Sequence, residues 1–72
     1  MKRYKDEILE KFALNVRRKR HSLGINQEEL AFRAGVHRTY IGMVERSERN
    51  VSLVYADKIA KALDTTITEL IK

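Results

Sequence analysis

Arg38, Thr39 and Tyr40 stand side by side, and their side chains carry the most specific chemistry in this sequence. A guanidinium can fork onto the O6 and N7 of a guanine, a threonine can reach a phosphate or a thymine methyl, and a tyrosine can hydrogen-bond while stacking on sugar or base. Gln27 lies upstream, where a helix N-terminus would aim its amide and backbone donors at a phosphate. Arg46, Arg49 and Asn50 follow downstream, suited to clamping a phosphate backbone. The bland alternative is that Arg38 and Thr39 are ordinary first-turn surface residues and Tyr40 is half-buried filler.

Other chemistries find no support. The chain has no cysteine, which excludes disulfides and thiolate metal sites. His21 and His37 are too far apart to resemble a zinc site, so neither a metal nor any other cofactor is expected. Ser22, Ser47 and Ser52 have no histidine and carboxylate at a recognisable arrangement, and no glycine-rich phosphate loop exists, so no catalytic residue is assigned. No apolar segment is long enough to span a bilayer, and a cytoplasmic protein, bound at the bacterial nucleoid, is expected.

The elements that must position these residues are helices. Proline is absent, and apolar residues recur at three- and four-residue spacing without period-2 alternation. A first helix is expected from about Tyr4 to Leu23, with Ile8, Leu9, Phe12, Ala13, Val16 and Leu23 on its buried stripe. Gly24 stops it. Asn26 caps a second helix, with Glu29 completing a capping box, and this helix ends at Gly35. A third helix starts near His37–Arg38, and a polar loop covers Ser47–Val51. Ser52 caps a fourth helix whose stripe is Leu53, Ala56, Ile59, Ala60 and Leu63. Thr66 and Glu69 make a second capping box for a short fifth helix. The expected fold is all-α, a compact five-helix bundle formed by residues 1–72 as a single domain.

Two charges fall where core residues are due. The row Ile8, Phe12, Val16 continues to Arg20, and Ile41 plus four reaches Glu45. Buried charges are tolerated when paired, which predicts an ion pair between Arg20 and Glu45 joining helices one and three. The alternative is that both side chains snorkel into water at helix ends.

Residues 27–46 read as two short helices joined by a tight turn at Ala34-Gly35-Val36, with the small Ala31 letting the helices approach. This is the helix-turn-helix arrangement, whose second helix lies in the DNA major groove. Charge agrees: residues 1–50 hold 12 basic and 7 acidic side chains, net +5, whereas residues 51–72 hold 3 of each. A basic binding half and a neutral packing or pairing half, helices four and five over 52–71, are implied. On that neutral half Val54, Tyr55, Ile67 and Ile71 are expected to form an apolar patch for a homodimer interface.

Residues 12–71 resemble the phage-repressor (Cro/C1-type) helix-turn-helix family, the lambda-repressor-like DNA-binding domains. The resemblance is carried by LG-I-NQEELA at Leu23–Ala31, AGV at Ala34–Val36, YI-G-MVER at Tyr40–Arg46 and the tail SLVYADKIAKALDTTITELI. Within that family, HRTYIGMVERSERNVSL (His37–Leu53) is similar to the recognition segment of controller proteins from restriction–modification operons. The resemblance implies a homodimeric transcription regulator, not an enzyme, that binds double-stranded operator DNA, controls its own gene and switches on the endonuclease gene. It implies a phosphate contact at Gln27, DNA contacts at Arg38, Thr39, Tyr40, Arg49 and Asn50, and the Arg20–Glu45 bridge. His37 departs from the usual cap residue, and Met43 stands where a base-reading glutamine is common, so readout there is apolar or absent. Both are counted with the DNA-facing residues. Val51 replaces a common proline, and Asp64 a frequent glycine. Glu28 and Glu29 are first-turn residues favoured by the helix dipole; a second reading is contact with RNA polymerase. Alternatives are a phage-like repressor or an antitoxin-type autorepressor. From a different class comes a basic helical protein-interaction module, or one lying on anionic membrane surfaces.

Overall fold

The computed structural model describes residues 6–72, in the order α1 (Glu7–Ser22), α2 (Gln27–Ala34), α3 (Arg38–Glu45), α4 (Leu53–Ala62) and α5 (Ile67–Leu70), with no strand among the described residues. The expected start near Tyr4 lies outside them. Within them α1 opens at Asp6, whose carboxylate accepts from the Ile8 N–H at 3.2 Å. Three more helices are capped in the same way: Asn26 Oδ1 accepts from Glu29 N–H at 2.8 Å, Ser52 Oγ from Tyr55 at 3.1 Å and Thr66 Oγ1 from Glu69 at 3.2 Å. Each such cap contributes about 1 kcal/mol. The returning half of the two capping boxes is replaced by ion pairs. Glu29 takes Arg33 Nε at 2.9 Å and Glu69 takes Lys72 Nζ at 2.7 Å. A cation one turn ahead offers a charge-assisted bond that a neutral N–H does not match.

Four helices end in one hydrogen-bonding pattern. After α2, Val36 N–H donates to Ala31 at 3.0 Å and Gly35 N–H to Phe32 at 3.2 Å, with Gly35 at φ 72°. The same paired bonds close α1 at Gly24, α3 at Ser47 and α4 at Asp64. Ser47 and Asp64 hold φ of 59° and 56°, a region that disfavours side chains with a Cβ. Ser47, expected in a polar loop, is buried at this turn.

The core joins Phe12 and Val16 of α1, Leu30, Ala31 and Ala34 of α2, Ile41 and Val44 of α3, and Ile59, Ala60 and Leu63 around α4. Leu70 closes it from α5. The Asn15 amide fastens α5 to α1 by donating to the main-chain oxygens of Leu70 and Lys72 at 2.9 and 3.0 Å. Three expected stripe residues lie outside: Ile8, Leu23 and Leu53 are exposed. All three stand at helix ends, where the stripe runs past the edge of the neighbouring helices.

Arg20 and Glu45 are buried and face each other. Arg20 Nε donates to Glu45 Oε2 at 2.7 Å and Nη2 to Oε1 at 2.9 Å. Arg20 Nη1 also holds the Ile25 carbonyl at 3.1 Å, and Gln27 Nε2 donates to Glu45 Oε1 at 3.1 Å. Removing one partner strands a buried charge, so Arg20→Ala or Glu45→Ala alone should cost about 3–5 kcal/mol. Replacing both with Arg20→Met and Glu45→Leu should recover most of that loss. Urea unfolding of the parent, Arg20→Met, Glu45→Leu and the double variant measures the coupling; additive losses would show that the pair does not act as a unit.

Candidate nucleic-acid interface

The close packing of α2 on α3 fixes which side of α3 turns outward. At about 100° per residue, Ile41, Val44 and Glu45 share the inward face and are buried. Thr39 is exposed on the opposite face with the half-buried Met43 beside it, and Arg38, the first residue of the helix, is exposed at its N-terminal edge. Glu45 is the only acid on α3, and Arg20 neutralises it. The outward face therefore carries no negative charge.

The start of α3 differs from the other helix starts. His37 has the extended backbone of a cap (φ −75°, ψ 145°), yet its side chain accepts no bond from the helix. The exposed imidazole lies beside Arg38 at the entrance to the outward face.

Two arginines flank that face. On one flank Arg46 reaches back over Gly42, its Nη1 lying 3.1 Å from where a Cβ on that residue would stand. Gln27 Oε1 is 3.7 Å from the same point. Gly42 is thus buried beneath two side chains rather than opening onto the outward surface. Glu48 holds Arg46 Nη2 at 3.1 Å, which partly offsets its charge. Gln27 spends one amide hydrogen on Glu45.

On the other flank Arg49 lies over the Tyr40 ring, 5.5 Å from its centroid. Tyr55 meets the same ring edge-on at 5.1 Å and 85°. Burial raises the Tyr40 phenol pKa above its ordinary value, Arg49 opposes that shift and Tyr55 adds to it. Tyr40 therefore stays a neutral hydroxyl, able to donate, at physiological pH. Asn50 is exposed just beyond Arg49. The structure thus brings Gln27 to Arg46 and Tyr40 to Arg49, with Arg38, Thr39 and Met43 between them.

The four apolar residues expected to form one patch are divided. Ile67 and Ile71 line a groove with Ile8, Val51 and Leu53. Tyr55 belongs instead to the Tyr40 side of α4, about 200° around the helix from Leu53. Val54 points directly outward between them and is 64% exposed. Four residues mattered that sequence reasoning passed over in these roles: Asn15, Gly42 as a seat for Arg46, Leu53 as surface, and Tyr55 as a partner of Tyr40. Only Asn15 left a trace, an amide inside an apolar helix row. Among the described residues, no helix is long and apolar enough to cross a membrane, and no three His, Asp or Glu side chains gather into a metal site.

Comparison with known proteins agrees with this geometry. A family model described as helix-turn-helix matches residues 16–70. The control protein C.SmaI of Serratia marcescens is 49% identical over 65 residues, spanning 90% of this chain and 77% of that protein. The restriction-modification controller protein C.AhdI of Aeromonas hydrophila superposes with a TM-score of 0.82 at 50% identity, over 86% of this chain and 94% of that one. The controller protein C.Esp1396I, solved as a tetramer in complex with its natural 35 base-pair operator, superposes with a TM-score of 0.85 at 29% identity, over 92% of this chain and 87% of that one.

Gly42 sits mid-helix, where glycine is about 1 kcal/mol worse than alanine. The atom a new methyl would meet is the far end of a flexible arginine. Gly42→Ala should therefore stabilise the domain by about 0.5–1 kcal/mol in urea unfolding, with Arg46 shifting by a few tenths of an ångström. A destabilised variant would show that Arg46 is held rigidly in its seat.

Proposed function

The chain belongs to the Cro/C1-type helix-turn-helix family and, within it, to the controller proteins of restriction–modification systems, and from that premise we propose that it binds operator DNA as a homodimer with α3 in the major groove. It is a DNA-binding transcriptional regulator, not an enzyme. The observation that carries the binding mode is the outward face of α3: no acid, Arg38 and Thr39 open, and an arginine on each flank.

In this reading Arg38 forks onto a guanine, and Thr39 and Tyr40 contact base edge or backbone. Met43 offers the groove an apolar surface, and His37 lies at the point of entry. Gln27 directs its remaining amide hydrogen to a phosphate at the start of α2, while Arg46, Arg49 and Asn50 engage the backbone. The resemblance to controller proteins implies that the regulated genes are its own and the endonuclease gene of the same operon. Contact with RNA polymerase falls to Glu28, exposed on α2 near the 82%-exposed Phe32, because Arg33 occupies Glu29.

The dimer surface proposed here keeps Val54, Ile67 and Ile71, adds Leu53 and Ile8, and leaves Tyr55 out. Its support is the groove between α1 and the α4–α5 end, lined mainly by apolar side chains and open beside Leu53 at 78% exposure. Leu53→Glu should shift the protein toward monomer in sedimentation equilibrium and weaken operator binding while the helical content is kept. A dimer of unchanged affinity would move the interface elsewhere.

In-vitro selection from random duplexes tests the main reading. Enrichment of a twofold-symmetric motif with half-sites about 10 base pairs apart is expected. Arg38→Ala should then cost about 1–3 kcal/mol and relax discrimination at one base position. Arg49→Ala should weaken all duplexes alike and reduce the salt slope by about one unit. Uniform, salt-sensitive retention without enrichment would refute sequence-specific binding.

A further inference from the structure

Tyr40 is the one member of the α3 reading set whose side chain is gripped from outside the helix. Its ring meets the Tyr55 ring edge-on at 5.1 Å and 85°, and Arg49 lies over it at 5.5 Å. Tyr55 is itself held at both ends. Its N–H donates to the Ser52 cap at 3.1 Å, and Lys58 lies 5.3 Å from its ring centroid. The result is a file of cation, ring, ring and cation running from the loop after α3 into the first two turns of α4. None of the four belongs to the buried core: Tyr40 only packs against it, and Tyr55 remains 39% exposed.

A ring held edge-to-face has one preferred tilt, because the positive edge of one ring seeks the negative face of the other. The tilt of Tyr40 decides where its hydroxyl stands beside Arg38 and Thr39. Arg49 approaches the same ring, so a guanidinium that leaves for a phosphate gives up a cation–ring contact. Tyr55 carries no such charge: its backbone is anchored in a capped helical turn, and its ring is the surface against which Tyr40 rests.

We propose that Tyr55 is a positioning residue for sequence recognition: it sets the orientation of Tyr40 and thereby sharpens the base preference beneath that side chain without touching the base. The inference rests on the reading of α3 as the recognition helix.

The test uses the full chain and the duplex enriched by selection, with each half-site base pair altered in turn. Tyr55→Leu should lower discrimination at the base pair that also responds to Tyr40→Ala. The expected loss is about three- to tenfold, the size of one T-shaped aromatic contact. Affinity for unrelated duplex and the salt slope should stay as in the parent protein. Tyr55→Phe should restore discrimination, because the ring edge is retained. In a Tyr40→Ala background, Tyr55→Leu should have no further effect. Equal loss on every duplex, additivity with Tyr40→Ala or failure of phenylalanine to rescue would each overturn the proposal. If the parent protein shows no base preference, the recognition-helix reading fails and this inference fails with it. If the parent discriminates and Tyr55→Leu does so equally well, only the role of Tyr55 falls.

Discussion

A charge pair inside a small core governs how this domain is put together. Arg20 and Glu45 meet through two hydrogen bonds at 2.7 and 2.9 Å, and both side chains are almost wholly removed from water. A planar guanidinium and a planar carboxylate satisfy each other in a narrow range of orientations. The end of α1 and the end of α3 must therefore approach in one relation. The remaining polar atoms extend the constraint: Arg20 takes the Ile25 carbonyl in the turn before α2, and Glu45 takes the Gln27 amide in its first turn. One buried pair thus fixes the start of α2, the end of α3 and the turn between α1 and α2. It also removes the only negative charge from α3.

That removal shapes the surface. With Glu45 turned inward, the outward face of α3 is left to Arg38, Thr39 and Met43, and the cations that flank it come from the turn and loop after the helix. The two flanks are built differently. Arg46 occupies space that a missing side chain at Gly42 leaves open, and Glu48 steadies it. Arg49 is placed by aromatic surface, through Tyr40. A guanidinium tied to a carboxylate loses part of its pull on an external anion, whereas one resting on a ring keeps its full charge. Of the two, Arg49 is the better placed to contribute to long-range attraction.

What could be seen in advance followed from local rules. Helix number and order came from three- and four-residue spacing, caps from Asn26, Ser52 and Thr66, and the approach of Arg20 to Glu45 from two charges on apolar rows. The outward placement of Thr39 and Met43 follows from the inward placement of Ile41 and Val44 on the same eight-residue helix, and Arg38 is open because it begins that helix. The failures share a cause. Ile8, Leu23 and Leu53 continue an apolar row, but a row does not reveal where the neighbouring helix stops. Glu29 and Glu69 sit at capping-box positions, but each has a cation one turn on that wins the carboxylate. Tyr55 was grouped with Ile67 and Ile71 because all are apolar on the neutral half. Its actual neighbour, Tyr40, is fifteen residues earlier and on another helix, a relation that spacing along the chain does not carry. Only the packed angle between α3 and α4 brings the two rings together.

The length of α3 connects the two halves of the molecule. Eight residues at 1.5 Å each give a helix about 12 Å long, which spans only about three or four base steps at 3.4 Å each. Its outward face offers few side chains to read them, and Gly42 contributes none. A good bidentate contact supplies about 1–3 kcal/mol of discrimination, so one copy of such a helix separates an operator poorly from the many near-matches in a genome. Doubling the reading surface through a twofold axis roughly doubles that free energy without a longer helix. The proposed dimer would also account for the segregation of the positively charged half and the neutral half along the chain. In the proposed dimer the apolar groove beside Leu53, Ile67 and Ile71 would be as much a determinant of sequence recognition as Arg38, because a second copy seated there would set the spacing at which two short helices read DNA together.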